Sequence, residues 1–378
     1  METDRFDHLA RSLTIAGSRR GLLARLAIAP LGAGALALPG APTAAKRKKR
    51  KGKVTICQGG QTLQVKQKQL KKRLRQGATR GACSPPTTPP PTPPECAADR
   101  PCAAGKLCVD GTCQVCDVCA SGCAYDGVQA AIDGVARSTL YLCPGTYSGA
   151  NGRAAITRNL TLIGAGDGAN SASNTILNAA GTLSVVKIDA SASVALRGLR
   201  LTGGLAYGGG GVENNGTVDL TACTIKGNAA NLGGGVYNTG AATFTACAIT
   251  DNQSGGLGGG INNNGGTVTL SETLIADNTA GTGGGIINSD AFQSPASITF
   301  NAGNEITGNA ANDAGGGGGG IHNAAKITFN QPTSIKRNSA ASGAGSGILN
   351  TGSGTLTNFS LADVRNNTPP ANQCSGCP

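Results

Sequence analysis

The sequence predicts an all-β solenoid in which short coils stack on one another, and three observations predict it. A Gly-x-Gly-aliphatic-x-Asn phrase recurs six times, as GGGVEN, GGGVYN, GGGINN, GGGIIN, GGGIHN and GSGILN. Its aliphatic residues, Val212, Val236, Ile261, Ile286, Ile321 and Ile348, are separated by 24, 25, 25, 35 and 27 positions. A second phrase ends each unit (IKGN, ITDN, IADN, ITGN, IKRN, VRNN), and strand-like alternation such as Thr217-Val218-Asp219-Leu220 lies between the two. The third observation is composition: of 378 residues 60 are Gly, aromatics make up 3% and Trp is absent. A narrow coil filled by Val, Ile, Leu, Ala and Thr needs no aromatic anchor. The Gly usage lacks the period of collagen, and 39% hydrophobic residues is too many for disorder.

One unit cannot bury its apolar face alone; stacking units in register, about 4.8 Å apart, makes interior ladders of like residues. The asparagines of the first phrase, Asn214, Asn238, Asn263, Asn288, Asn323 and Asn350, are then expected to form an amide ladder. So are those of the second, Asn228, Asn252, Asn278, Asn309, Asn338 and Asn367, at turns where Asn tolerates left-handed backbone angles. The Gly runs supply sharp corners. The 35-residue spacing reads as one coil with an insertion, near 289–296 or in 312–317. Less regular coils precede the repeats, for a total near ten.

In chain order, residues 1–45 read as an export signal. Arg19-Arg20 precede a weak Gly/Ala/Leu stretch that ends at Pro39, Pro42 and the small pair Ala44-Ala45. The paired arginines resemble the twin-arginine type, which implies export by that route to an extracellular or cell-surface location. As a membrane anchor the stretch is short and interrupted by Arg25, so no span is expected once the signal is removed.

The net charge of +12 is concentrated in residues 46–80, which carry 14 basic and no acidic side chains. Residues 46–83 form a basic module: an alternating hairpin-like half, then Leu70 and Leu74 one helical turn apart, with Gly77 as the stop and Cys57 and Cys83 able to close the unit. It resembles a short module of exported bacterial proteins with three His and an Asp; here those positions hold Gln58, Arg73, Gln76 and Ala78. The resemblance implies that any metal ligands are lost, leaving a cationic surface suited to polyanions. No aromatic residue interleaves the charges, so no specific nucleic-acid binding is expected. Residues 84–94 (SPPTTPPPTPP) are a Pro/Thr linker.

Residues 95–123 form a Cys-rich module too small to hold by apolar burial alone. In an exported chain its cysteines, Cys96, Cys102, Cys108, Cys113, Cys116, Cys119 and Cys123, are disulfide candidates together with Cys57, Cys83, Cys143, Cys374 and Cys377. The rival reading of Cys113, Cys116, Cys119 and Cys123 is an iron–sulfur run, whose spacing they match although Ala124 stands where that run has Pro. Cys223 and Cys247 share a register inside the repeats, and reduced, packed thiols are favoured there over a disulfide.

The last domain, residues 124–378, opens on Asp126 as N-cap of a short amphipathic helix with Val128, Ala131, Ile132 and Val135 on one face. The phrase VQAAIDGV…LYLCPGTYSG resembles the capping helix and first strand of exported right-handed parallel β-helix proteins of pectin-lyase-like architecture. The paired GGG-aliphatic-x-Asn and x-x-x-Asn phrases resemble the repeat of polymorphic outer-membrane proteins over about 160 residues. Together these imply a right-handed parallel β-helix, capped by the helix at one end and by the tail to Pro378 at the other.

Candidate chemistry is sparse. Asp251 and Asp277 share a register before a turn Asn, so stacking puts them roughly 5 Å apart. That separation suits Ca2+ or a retaining glycosidase pair, but their neighbours in register, Gly227 and Gly308, add no ligand. No other cofactor is expected. His322, the one His outside the leader, sits where other coils have Glu213, Tyr237, Asn262, Ile287 and Leu349, and is expected to face solvent. The expectation is therefore an exported, monomeric β-helix protein with an adhesive, binding or structural role towards polysaccharide or another polyanionic surface. The alternative is a polysaccharide lyase or glycoside hydrolase on the same fold.

Overall fold

The computed structural model describes residues 52–84, 95–97, 100–291 and 294–378. The export signal, the charge run up to residue 51 and the linker from residue 85 to 94 lie outside the described residues. The chain divides into two units, Met1–Pro90 and Pro91–Pro378.

In the first unit β1 (Lys53–Gln58) and β2 (Gln61–Lys66) form an antiparallel hairpin around Gly59-Gly60. Both glycines have the positive φ that a two-residue hairpin turn demands. Helix α1 (Gln67–Arg75) follows, and β3 (Thr79–Arg80) returns to pair with β1. Leu70 is buried with Ile56, Val65 and Ala78, Leu74 packs at their edge, and the Cys57–Cys83 disulfide closes the unit. That core is only four side chains, so the crosslink matters more here than it would in a larger domain.

The second unit starts with the hairpin of β4 (Lys106–Val109) and β5 (Thr112–Val115). Disulfides join Cys96 to Cys108, Cys102 to Cys113, Cys116 to Cys143 and Cys119 to Cys123. All four cysteines of the iron–sulfur-like run are thus bonded to other cysteines, which corrects that rival reading. Cys116–Cys143 ties the module to the first coil, and Val118 is buried in the solenoid core.

Among the described residues three columns of nine parallel strands make the solenoid, against an expected total near ten coils. Column A holds the first-phrase strands from Ala154–Ile156 to Cys374–Ser375, including Val212–Asn214, Val236–Asn238 and Ile261–Asn264. Column B runs from Thr139–Tyr141 to Thr355–Thr357, and column C from Gly145–Ser148 to Val364–Arg365. A fourth column, D, has six short strands from Leu205–Gly208 to Ser339–Ala340, the last five of which each lie between a second-phrase Asn and the next Gly run. One continuous core of aliphatics, such as Val212, Val236, Ile261, Ile286, Ile321 and Ile348, runs through the coils. The extra residues of the long coil are divided between both expected places, 289–296 and 312–317.

Both asparagine ladders are present. In column A the Nδ2 of each Asn donates to the Oδ1 of the next, from Asn214 through Asn238, Asn263, Asn288 and Asn323 to Asn350, at 2.7–2.8 Å. The second runs from Asn228 through Asn252, Asn278, Asn309 and Asn338 to Asn367, and each Oδ1 also accepts the backbone N–H of the preceding Asn. None of these twelve asparagines is left-handed, contrary to expectation. The left-handed residue is the one before each second-phrase Asn: Gly227, Asp251, Asp277, Gly308, Arg337 and Asn366, with φ of 54–68°. The Asn itself is freed to turn its amide inward. The Gly runs behave as expected: the residue three before each ladder aliphatic, Gly209, Gly233, Gly258, Gly283, Gly318 or Gly345, has φ of 56–69°.

The capping helix, α2 (Val128–Gly134), covers the first coil with Val128, Ala131 and Ile132. Its N-cap is Gly127, with no side-chain cap, rather than Asp126. A Cβ at Gly127 would meet the Asn151 side chain at 2.9 Å, so a close approach sets the residue at that position. The guanidinium of Arg158 donates to the Ile132 and Val135 carbonyls at the C-terminal end of the helix. At the far end Phe359 packs on Phe329, and the Cys374–Cys377 pair adjoins the core.

Candidate functional site

Asp251 and Asp277 occupy adjacent coils in one register, as expected, and both are exposed. Their common feature is conformational, since each is the left-handed residue of its turn (φ 54° and 56°). Asp, like Asn and Gly, adopts that conformation at low cost because its short polar side chain bonds locally. The Asp251 carboxylate is engaged by Lys226 Nζ at 2.6 Å. Among the described residues the one group of three or more potential metal-ligating side chains is Cys96, Cys102 and Cys108, whose sulfurs are committed to disulfides. The carboxylate pair therefore gathers no third protein ligand of that kind.

His322 points away from the ladder but is half-buried rather than solvent-facing. Its Nε2 lies 3.0 Å from Thr351 Oγ1, its Nδ1 is buried without a partner, and burial lowers its pKa. In the same row Asn262 and Ile287 are buried. Cys223 and Cys247 are free and buried, each within 3.4 Å of backbone carbonyl oxygens such as Leu196 O and Leu220 O. Burial holds the Cys223 thiol well above its ordinary pKa. In the first unit Gln58, Arg73 and Gln76 lie together: Arg73 Nη1 donates to Gln58 Oε1 at 2.9 Å, and Gln58 Nε2 approaches the Gln76 carbonyl. Hydrogen bonds stand there, on a surface with Lys66, Lys68, Lys71, Lys72 and Arg75 exposed around them.

The most site-like concavity is one the sequence reading missed. A cleft of about 510 Å³ lies where the outward face of column A meets column D near its start. Tyr207, 74% exposed, and Leu183 stand on its margin, and Leu205 is exposed beside them. Lys187 and Glu213 line it as an ion pair at 2.8 Å, one coil apart. Tyr237 packs beside Gly208, and its hydroxyl accepts a bond from Asn264 Nδ2 at 3.0 Å, so the ring is fixed. Arg153 also lines the cleft, and its buried Nε has no partner. Two aromatic rings, an apolar margin and a few convergent charges are the make-up of a small-ligand site. The signal in the sequence was Tyr207 itself, an aromatic residue outside both repeat phrases in a chain with very few.

No family model, no curated protein and no solved structure matches the chain.

Proposed function

We propose that this is an exported or cell-surface protein whose β-solenoid binds polysaccharide as an adhesive or structural element. The cleft at Tyr207 carries the reading. An exposed tyrosine ring presents a flat apolar surface to the C–H face of a sugar, and the Lys187–Glu213 pair offers a donor and an acceptor to adjacent hydroxyls. The cationic module contributes retention on polyanionic polymers. Export by the twin-arginine route, a right-handed pectin-lyase-like coil and a monomeric state belong to the same reading; the six disulfides fit an oxidising compartment.

The test is retention of the full chain on neutral and acidic insoluble polysaccharides, with and without Ca2+, alongside assay of new reducing ends and unsaturated products. Retention that drops in Tyr207→Ala, with no new chain ends, is the expected result. Equal retention of Tyr207→Ala and the parent would remove the cleft from the reading. New chain ends would replace adhesion by catalysis.

A further inference from the structure

Column B presents a second surface, chemically unlike the cleft. Five successive coils place threonine at the same outward position: Thr243, Thr269, Thr299, Thr328 and Thr357. Two positions away along the strands the row on one side holds Ala241, Thr267, Ser297, Lys326 and Thr355, and that on the other holds Thr245 and Ser271. All of these side chains are exposed or half-buried. No hydrogen bond within the protein engages the hydroxyls of the five central threonines among the described residues. Inward-facing threonines differ: Thr273 Oγ1 donates to the Ser271 carbonyl at 2.9 Å, and Thr175 Oγ1 to that of Leu142 at 3.1 Å.

The rows are held rigidly. Val268, Leu270, Ile298, Phe300 and Ile327 lie beneath them at 0–1% exposure, and Phe300 stacks on Phe329 with ring centroids 5.1 Å apart. The strand pairing over these coils has no register shift. Threonine hydroxyl and methyl groups therefore repeat at about 4.8 Å across the coils, and in four of the five strands a second hydroxyl lies about 6.7 Å away along the strand, over a length of roughly 19 Å. The three rows contain no aromatic ring on which a sugar could stack. Lys326 is their one charge over these coils, so they make a poor polyanion site.

Such an array suits a partner that is itself a lattice of hydrogen-bonding groups at fixed spacing. Each threonine hydroxyl offers one donor and two acceptor positions, and each methyl excludes water from the sites between. We propose that the threonine face of column B binds ice, by holding water in a repeat that merges with a growing crystal face.

The experiment is partition of the full chain between slowly growing ice and the remaining liquid, with growth of ice grains on annealing as a second readout. The parent protein is expected to be enriched in ice and to slow grain growth. The double variant Thr269→Lys/Thr299→Lys is expected to be excluded like a non-binding control protein, and Gln253→Lys, on column D, to behave as the parent. Thermal unfolding is followed for each variant. Should the first pair lower the unfolding temperature, Thr243→Lys/Thr328→Lys, which spares the coils between, is read instead. Exclusion of the parent from ice overturns the proposal, as does entry of a folded lysine variant to the parent's level. Retention on crystalline cellulose that these variants abolish, without enrichment in ice, would assign the face to a polymer instead. Loss of polysaccharide retention in Tyr207→Ala is a separate result and leaves this one standing.

Discussion

Asp251 and Asp277 show how a residue is chosen by its backbone. The same turn position holds Gly227, Gly308, Arg337 and Asn366 in other coils, all left-handed. The shared register was legible from the repeat spacing. The left-handed conformation was not, because Arg337 hides the Gly/Asp/Asn preference and the conspicuous Asn stands one position later. Asp251→Gly is expected to leave stability nearly unchanged, since the exposed Lys226 pair contributes little. Asp251→Val, forced into the left-handed region, is expected to lose about 1–2 kcal/mol in denaturant unfolding. A large loss in Asp251→Gly would instead point to a role for the carboxylate. His322 gives a pH signature. Burial lowers its folded pKa, so the unfolded chain binds the proton more tightly and stability is lost as pH falls below about 6.5. The unfolding temperature of the parent should fall more between pH 7 and 5 than that of His322→Gln.

At the scale of the element, the asparagine ladders were the most legible feature and column D the least. Twelve asparagines at fixed offsets announce themselves, and each sits where an amide closes two kinds of bond. Asn278 illustrates what one rung holds: its Oδ1 accepts from both the backbone N–H and Nδ2 of Asn252, and its Nδ2 donates to Asn309 Oδ1 and to the Ile249 carbonyl. Asn278→Ala leaves several buried polar groups without partners and is expected to cost about 3 kcal/mol, read as a lower denaturant midpoint at unchanged slope. Column D gave no such sign. Its strands, such as Gln253–Leu257, lack alternation, and a register shift falls between Ala230 and Leu232. Their placement is set by the corners before and after them, so the cleft beside Tyr207 emerges only from the stacked coils. The buried thiols of Cys223 and Cys247 give the coil interior its own reporter. A thiol reagent should find none in the native protein at neutral pH and two per chain after unfolding.

Across the solenoid, stability is a sum of coils and of contacts between neighbours, and the ends are its weak points. The first end is held by α2 and by the Cys116–Cys143 disulfide. The other depends on a short tail: Phe359 against Phe329, Gln373 Oε1 accepting from Asn367 Nδ2, and Cys374–Ser375 pairing with Ile348–Asn350. Without the tail, unpaired N–H and C=O groups in columns A, B and C would face solvent with the Phe329 ring between them, a template for edge-to-edge pairing. A chain ending at Asn350 is therefore expected to self-associate, seen as a rise in mass by light scattering at increasing concentration, while the intact chain keeps one mass. Phe359→Ala should move in the same direction by a smaller amount, because it exposes the Phe329 ring and leaves the strand edges covered. If the shortened chain stayed monomeric and folded, the last coil would be protecting its own edges, and the tail's asparagine, glutamine and cysteine contacts would need another reason to exist.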